Sequence, residues 1–209
     1  MKKTLIVTGA AVLLGAGVAR ADFTITQSGA QAPTYATTLN FDEIGGPVGT
    51  IAPDSFAALG LSYLQSGEGT TVVGDNDAGA GWGLGQGNSF YGAWGVFMNF
   101  SADLTNFSAQ VWDPSGPPTF TGGGLAVILF NDGVEVGSSW GHTPAWGGLG
   151  DTWFDIGTTN GDMFDEVRIL GFGFFPTTVI DNLSWNMVPS PGTGGVAALG
   201  VMALRRRRR

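Results

Sequence analysis

Residues 124–140 have the sequence GLAVILFNDGVEVGSSW, in which two apolar runs flank an Asn-Asp-Gly turn. The first run, Gly124 to Phe130, is apolar throughout, which is typical of a strand that is covered on both faces. In the second run Val134 and Val136 lie at alternate positions. The Asp-Gly step between the runs favours a two-residue turn, because glycine adopts positive φ without steric cost. The segment therefore predicts a β-hairpin.

Short runs with strand character continue on both sides of this hairpin. Phe107, Ala109 and Val111 alternate with polar neighbours. Further strands are expected at Phe23–Gln27, Thr37–Ile44, Leu61–Leu64, Thr70–Val73, Trp153–Ile156, Val167–Phe174 and Val179–Trp185. A change of parity predicts a β-bulge near Ile169–Gly171. About ten short strands in a chain rich in glycine turns predict an all-β fold, a two-sheet antiparallel β-sandwich or jelly roll.

The charge distribution divides the chain into a body and two ends. All 17 acidic residues lie between Asp22 and Val188, where Arg168 is the only basic residue, so this body carries a net charge of −16. No basic surface remains to displace counterions from phosphates, which argues against nucleic acid as a partner. Cysteine is absent, which excludes a disulfide scaffold.

The N-terminal segment, residues 1–21, has the pattern of a secretory signal peptide. Two lysines precede an apolar stretch, Leu5 to Val18, and Ala19 and Ala21 supply the small residues of a cleavage site. The mature chain is therefore expected to begin at Asp22 and to cross the inner membrane. Residues 22–188 are expected to form one β-sandwich domain.

The C-terminal segment, residues 189–209, combines a Pro-Ser-Pro step, an uncharged stretch and a basic terminus. Pro189, Ser190 and Pro191 precede thirteen uncharged residues, and the chain then ends in Arg205, Arg206, Arg207, Arg208 and Arg209. A helix of thirteen residues spans about 20 Å, short of the roughly 30 Å hydrocarbon core of a bilayer. The segment predicts a short apolar helix that anchors the chain transiently, with its arginines on the cytoplasmic side.

This tail resembles the PEP-CTERM sorting signal, in which a Pro-x-Pro step, a small apolar segment and an arginine cluster recur. Ser190 stands where the commonest form of the signal has glutamate. The resemblance implies that the tail is recognised by an exosortase, a membrane processing enzyme. It also implies delivery to the cell envelope, cell surface or extracellular matrix of a Gram-negative-type bacterium.

A second resemblance concerns the body. Leu39–Asp42, Val167–Ile169 and Ile180–Trp185 are similar to strands that recur in the bodies of PEP-CTERM proteins. Those bodies resemble galactose-binding-like and carbohydrate-binding-module sandwiches. The resemblance implies a sandwich fold.

The residues that enzymes commonly use are scarce in this chain. His142 is the only histidine, cysteine is absent, and no Gly-x-Ser-x-Gly motif surrounds a serine. Zinc prefers nitrogen and sulfur ligands, so a zinc site is not expected. We therefore expect a protein that is not an enzyme, while paired carboxylates leave open a hydrolase acting on polysaccharide.

A calcium site is one interpretation of three acidic residues. Glu43 and Asp181 share strand faces with hydrophobic residues, and a carboxylate on the core side is costly unless it is hydrogen-bonded or bound to a cation. First and last strands are often neighbours in sandwiches, which would bring Asp42, Glu43 and Asp181 around one structural Ca²⁺ ion. The alternative is that backbone N–H groups or water satisfy these carboxylates.

Seven tryptophans suggest glycan binding, since flat indole rings stack on sugar rings. Four of them lie in or beside glycine-rich connections and are candidate ligand-binding residues: Trp82, Trp94, Trp140 and Trp146. Trp112, Trp153 and Trp185 lie on strands and are expected in the core. The sequence thus predicts an envelope-sorted surface or matrix protein with a structural or glycan-binding body. Exopolysaccharide or another glycan is its expected partner, and a dedicated carbohydrate-binding module is an alternative.

Overall fold

A computed structural model describes residues 22–42, 49–75, 87–112, 124–142, 152–172 and 177–188. The predicted signal peptide and sorting tail lie outside these residues, as do Glu43, Trp82 and Trp146. In the part of the chain that is described, we find no helix of the length and apolarity that crossing a membrane requires.

The described residues form an all-β structure in which every strand pair is antiparallel. The strands are β1 (Phe23–Ser28), β2 (Thr37–Leu39), β3 (Gly49–Thr50), β4 (Leu61–Ser66), β5 (Val72–Asp75), β6 (Asn88–Ala93), β7 (Val96–Trp112), β8 (Gly124–Asn131), β9 (Val134–His142), β10 (Trp153–Thr158), β11 (Phe164–Phe172) and β12 (Thr177–Met187). A short 3₁₀ helix, η1, spans Ala57–Leu59. The prediction of an all-β fold is confirmed.

The 17-residue strand β7 organises the sheet. Its first half pairs with β4 and β11, and its second half pairs with β10 and β12. The sheet continues from β11 through β8 to β9, and from β12 through β6 and β5 to β3. β1 pairs with β10, and β2 pairs with β12. Strands that are far apart in sequence therefore meet around β7.

The predicted hairpin is present as β8 and β9. Asp132 and Gly133 have φ values of 49° and 75°, so both central residues of the turn are left-handed, as a type I′ turn requires. Residues 124–129 are all buried, which confirms that β8 is covered on both faces.

One large hydrophobic cluster forms the core. Trp185 is fully buried and packs edge-on against Phe100 at a centroid distance of 5.4 Å. Trp112 and Trp153 are also buried, so the expectation that these three indoles lie inside the protein is confirmed. Interlocked aromatic rings of this kind add about 0.5–1.5 kcal/mol per pair to the burial of their area.

The strand predicted at Thr37–Ile44 is shorter than expected, because β2 ends at Leu39. Phe41 adopts a positive φ of 60°, which turns the chain out of the extended conformation. Its buried ring packs against Phe56 and Phe90. Burial of this ring fixes the turn, and the hydrophobic pattern of the sequence did not distinguish the turn from a continuing strand.

The bulge predicted at Ile169–Gly171 is absent, since the pairing of β11 with β8 runs without a shift from Glu166 to Phe172. The register shift of β11 lies against β7, between Phe164 and Glu166. The hydrophobic pattern of β11 changes parity because Leu170 is apolar although it is only half-buried. Leu170 lies beside Gly95. A Cβ atom on Gly95 would lie 2.8 Å from the Leu170 Cδ2 atom.

Candidate functional site

The predicted metal ligands Asp42 and Asp181 are both described, whereas Glu43 is not. Asp42 is exposed, and its Oδ1 atom accepts the backbone N–H of Asn88 at 2.8 Å. This carboxylate therefore caps the first residue of β6. Among the described residues, no three His, Cys, Asp or Glu side chains are grouped so that they could hold a metal ion. The calcium site that includes Glu43 stays a prediction.

Asp181 is only 2% exposed, so its carboxylate is on the buried side as parity predicted. Its Oδ1 atom accepts the backbone N–H of Asn182 at 2.6 Å. Asn182 has a positive φ of 47°, and its side chain donates to the Gln110 Oε1 atom at 2.8 Å. Between Asp181 and Ser184 the register slips by one residue against β7, which is a β-bulge. The backbone N–H of Asn182 thus supplies one of the hydrogen bonds that the buried Asp181 carboxylate requires.

Two of the four candidate tryptophans are exposed in the described residues. Trp94 is 59% exposed and Trp140 is 60% exposed. Trp94 lies in the turn between β6 and β7, and Trp140 lies on β9, a strand that pairs with β8 at the end of the sheet path. Both rings are accessible to a ligand.

The turn that carries Trp94 is tied to the turn between β4 and β5. The backbone N–H of Gly67 donates to the Gly95 carbonyl at 3.1 Å, and that of Glu68 donates to the Ala93 carbonyl at 3.3 Å. The Trp94 indole N–H donates to the Glu68 Oε1 atom at 2.8 Å. These three bonds join two sequence-distant turns, so the exposed ring has a fixed orientation beside a carboxylate. We call this pair of turns the Trp94 tip.

Glycine is required at two positions of the Trp94 tip. A Cβ atom on Gly67 would lie 2.7 Å from the Trp94 carbonyl oxygen. Gly95 has φ 105°, and a Cβ atom there would lie 2.7 Å from the Ile169 carbonyl oxygen. Trp94 itself has φ 61°, an uncommon conformation for a bulky residue that costs about 1–3 kcal/mol. The surrounding turns therefore hold Trp94 in a strained conformation.

The ring of His142 has both polar and aromatic contacts among the described residues. Its Nε2 atom lies 2.9 Å from the Ser139 hydroxyl, and its Nδ1 atom lies 3.3 Å from the Gln27 Oε1 atom. Its ring packs edge-on against Phe154. Burial lowers the pKa of the imidazole, which favours its neutral form. A Ser–His pair is present, but Gln27 occupies the position at which a catalytic triad has a carboxylate.

Arg168, the only cation of the body, is held on an aromatic surface. Its guanidinium forms an ion pair with Glu166. The same group lies over the rings of Phe97 and Phe130, at 5.0 Å and 4.2 Å from their centroids. Each of these two cation–π contacts attracts the guanidinium with about 0.5–2 kcal/mol. Sequence reasoning gave this residue no site.

The bulge at Asn182 borders a cleft of about 230 Å³ that sequence reasoning missed. We call it the Asn182 cleft. Its lining residues include Gln31, Thr34, Thr38, Asn40, Trp153 and Asn182. These residues come from segments more than 100 positions apart and meet only because β2 pairs with β12 and β7 joins β12 to β10.

Comparison of this chain with protein families, with curated proteins and with solved structures finds no match. Its function is therefore inferred from the geometry and chemistry of its own residues.

Proposed function

We propose that this protein is secreted, is sorted to the cell envelope by its C-terminal tail, and binds glycan through the Trp94 tip without being an enzyme. The signal-peptide pattern of residues 1–21 and the PEP-CTERM-like pattern of residues 189–209 support the sorting. The exposed, oriented ring of Trp94 carries the proposal of glycan binding.

The body in this proposal is a two-sheet β-sandwich. Strand β7 supports this arrangement, because its two halves pair with different strands. In β-sandwiches, a strand that leaves one sheet and joins the other does so at a bend. One sheet would contain β4, the first half of β7, β11, β8 and β9. The other would contain β1, β10, the second half of β7, β12 and the strands beyond it. The large core cluster includes Leu129 of β8 and Ile180 of β12, as two facing sheets require.

The chemistry of the Trp94 tip suits a neutral sugar. An indole face offers apolar contact to the C–H face of a pyranose ring, and the adjacent Glu68 carboxylate is an acceptor for hydroxyl groups. The net charge of −16 on the body opposes binding of anionic polymers at low salt. Because the ring is already oriented, binding pays little conformational entropy at this side chain.

A glycan array probed with the purified full-length chain tests this function. Trp94→Ala should lose about tenfold in apparent affinity for the glycans that the unaltered chain binds, equivalent to about 1.4 kcal/mol. Tyr63→Ala is the matched control, because Tyr63 is also an exposed aromatic residue on a neighbouring strand. Equal loss in both variants, or no glycan bound by the unaltered chain, would contradict the proposal.

The proposed sorting is tested separately by replacing the five C-terminal arginines with serine. The variant should be released unsorted or stay misoriented in the membrane, because the positive end of the tail is lost. Fractionation of cells and medium with an antibody to the body measures this. Unchanged surface display would overturn the proposed role of the tail and would leave glycan binding by the body unaffected.

A polysaccharide hydrolase is the second candidate function, and the Ser139–His142 hydrogen bond favours it. The neutral imidazole would accept the Ser139 proton during attack on an ester substituent of a polysaccharide. Ester hydrolysis that is present in the unaltered chain and absent in Ser139→Ala would establish this function. We favour the binding function because an amide, Gln27, replaces the carboxylate that normally supports the histidine.

A further inference from the structure

The Asn182 cleft is uncharged although the body around it is strongly acidic. None of its lining residues is Asp, Glu, Lys, Arg or His. Its polar groups are amides and hydroxyls, which both donate and accept hydrogen bonds. A neutral, hydrogen-bonding lining offers no counter-ion to a charged ligand, and it matches a ligand whose own groups are hydroxyls.

The size of the cleft restricts the ligand further. Its volume of about 230 Å³ is below the range of roughly 300–1,000 Å³ that drug-sized ligands occupy. A ligand that fits this volume has one six-membered ring with its substituents. Trp153 is the aromatic residue of the lining, and 9% of it is exposed.

Hydrogen bonds within the protein fix several of the residues that line the cleft. The hydroxyls of Ser108 and Ser184 lie 2.8 Å apart, and the Ser108 hydroxyl donates to the Pro33 carbonyl at 3.0 Å. The backbone N–H of Tyr35 donates to the Ser184 hydroxyl at 3.0 Å. These contacts hold the segment before β2 against β7 and β12, so the lining residues of that segment are positioned before a ligand arrives.

The phenol of Tyr35 adds a second contact from the same residue of this segment. It donates to the Asp155 Oδ1 atom at 2.6 Å, which connects the wall to β10. Burial and this bond raise the pKa of the phenol to about 12, so the group stays neutral and the bond persists at physiological pH. A preformed wall lowers the entropy cost of binding.

The backbone conformation at the cleft also indicates function. Asn182 has positive φ within a β-bulge, and bulges and left-handed residues are enriched beside binding sites. We infer that the Asn182 cleft binds a single neutral sugar ring or a similar small polyol. Asn182 and Thr38 supply hydrogen bonds to it, and Trp153 supplies the apolar contact.

This site is distinct from the Trp94 tip. Ala93, next to Trp94, pairs with Thr177 of β12, whereas the cleft lies at Asn182, five residues farther along the same strand. Five residues of extended strand span about 17 Å. The cleft is therefore a separate site for one ring, and its occupancy does not depend on the proposed function of the Trp94 tip.

Saturation-transfer NMR on the full-length chain tests the inference. The probes are glucose, galactose and N-acetylglucosamine at millimolar concentrations, with glucuronate as the anionic counterpart. Thr38→Val removes one hydroxyl at nearly constant shape, and Asn182→Asp adds a charge while retaining a residue that tolerates positive φ. The matched controls are Thr24→Val, on exposed β1, and Asn160→Asp, at an exposed residue with φ 61°.

At least one neutral sugar should give a signal that glucuronate does not. Its affinity should fall about three- to tenfold in Thr38→Val, as expected for one lost hydrogen bond. It should fall further in Asn182→Asp, and it should be unchanged in both controls and in Trp94→Ala. No signal from any neutral sugar, equal binding by Asn182→Asp, or a preference for glucuronate would overturn the inference. Loss of the signal in Trp94→Ala alone would reassign it to the Trp94 tip and would also overturn the inference.

Discussion

The Trp94 tip lies beside the start of β12, where Ala93 pairs with Thr177, whereas the Asn182 cleft lies five residues farther along that strand, and the two regions differ in their chemistry. The tip exposes one large aromatic ring beside the Glu68 carboxylate. The cleft presents amides and hydroxyls without a charged side chain. The tip is built by two local turns, whereas the cleft is built by strands that are distant in sequence. If both proposals hold, the protein offers two separate surfaces to neutral sugars, one through an exposed ring and one through a polar cleft.

Both regions contain a residue other than glycine at positive φ, but the cost differs. Asn182 belongs to a residue type that adopts this conformation readily, because its short side chain makes local hydrogen bonds. For a bulky residue such as Trp94 this conformation is unfavourable, and backbone contacts of the neighbouring residues enforce it. The tip should therefore be the more sensitive of the two regions to changes in its turns.

The largest effect is expected from Gly95→Ala. The new Cβ atom would meet the Ile169 carbonyl oxygen, and φ 105° is unfavourable for alanine. We expect a loss of about 3 kcal/mol or more in the free energy of unfolding. Gly133→Ala is the control, because Gly133 has φ 75° and nothing lies within 4 Å of a Cβ atom there. It should lose only about 1 kcal/mol.

Denaturant unfolding of both variants, followed by circular dichroism, measures this difference. Similar losses in Gly95→Ala and Gly133→Ala would show that steric enforcement at the Trp94 tip is unimportant.

Tyr35→Phe tests whether the wall of the Asn182 cleft depends on one hydroxyl. Removal of the bond to Asp155 should cost about 1–2 kcal/mol at neutral pH. The pKa of Tyr35 is raised to about 12, so its stabilising contribution is complete below about pH 10 and is lost as the pH rises towards 12. The difference between the two proteins should therefore shrink over this range. Thermal melts from neutral to alkaline pH that keep a constant difference would contradict the role of the phenol.

Melting in the presence of calcium tests whether a bound ion stabilises β12 beside the cleft. If Asp42, Glu43 and Asp181 share an ion, millimolar calcium should add about 1 kcal/mol to stability at matched ionic strength. Magnesium should add less, because it gives up its water ligands reluctantly. Asp181→Asn should abolish the increment. Equal melting shifts from calcium, magnesium and charge-matched sodium would indicate screening of the acidic body and no site.

Asp165→Asn should have the smallest effect and should leave both regions unchanged. Burial raises the pKa of the Asp165 carboxyl, and the charges of Asp132 and Asp103 add to this. A raised pKa means that the charged form opposes folding, so stability falls as the pH rises through that pKa. The variant should melt slightly higher at pH 7 and show no gain near pH 3, below the usual aspartate pKa of about 3.9.

The control for Asp165→Asn is Glu135→Gln, which removes the same charge from an exposed residue of β9. An equal gain in the control would mean that net charge, and not the environment of Asp165, sets the effect.

Local signals in the sequence accounted for much of the fold. The Asp132-Gly133 turn and the apolar run before it predicted the hairpin of β8 and β9, because turn chemistry and burial agree there. The first half of β7 and all of β6 were missed. Gly92 and Gly95 interrupt the hydrophobic pattern there, since close approach of neighbouring atoms excludes a larger side chain.

The two regions differ in how far the sequence revealed them. Trp94 was a candidate because tryptophan in a glycine-rich connection is a local signal, although its bond to Glu68 was not foreseen. The cleft gave no local signal, since Thr38, Trp153 and Asn182 become neighbours only through non-local strand pairing. The Asp-Asn step before Leu183 was the one available sign, because asparagine tolerates the positive φ of a bulge.

Affinity electrophoresis tests the glycan-binding role of Trp94 most directly. The full-length chain is run through gels that contain hydroxyethyl cellulose, a soluble neutral glucan, and through gels that contain anionic alginate. We predict retardation by the neutral polymer that is lost in Trp94→Ala, is partly kept in Trp94→Phe and is unchanged in Thr38→Val. Equal mobility of the unaltered chain and Trp94→Ala in the neutral gel, or stronger retardation by alginate, would contradict the account.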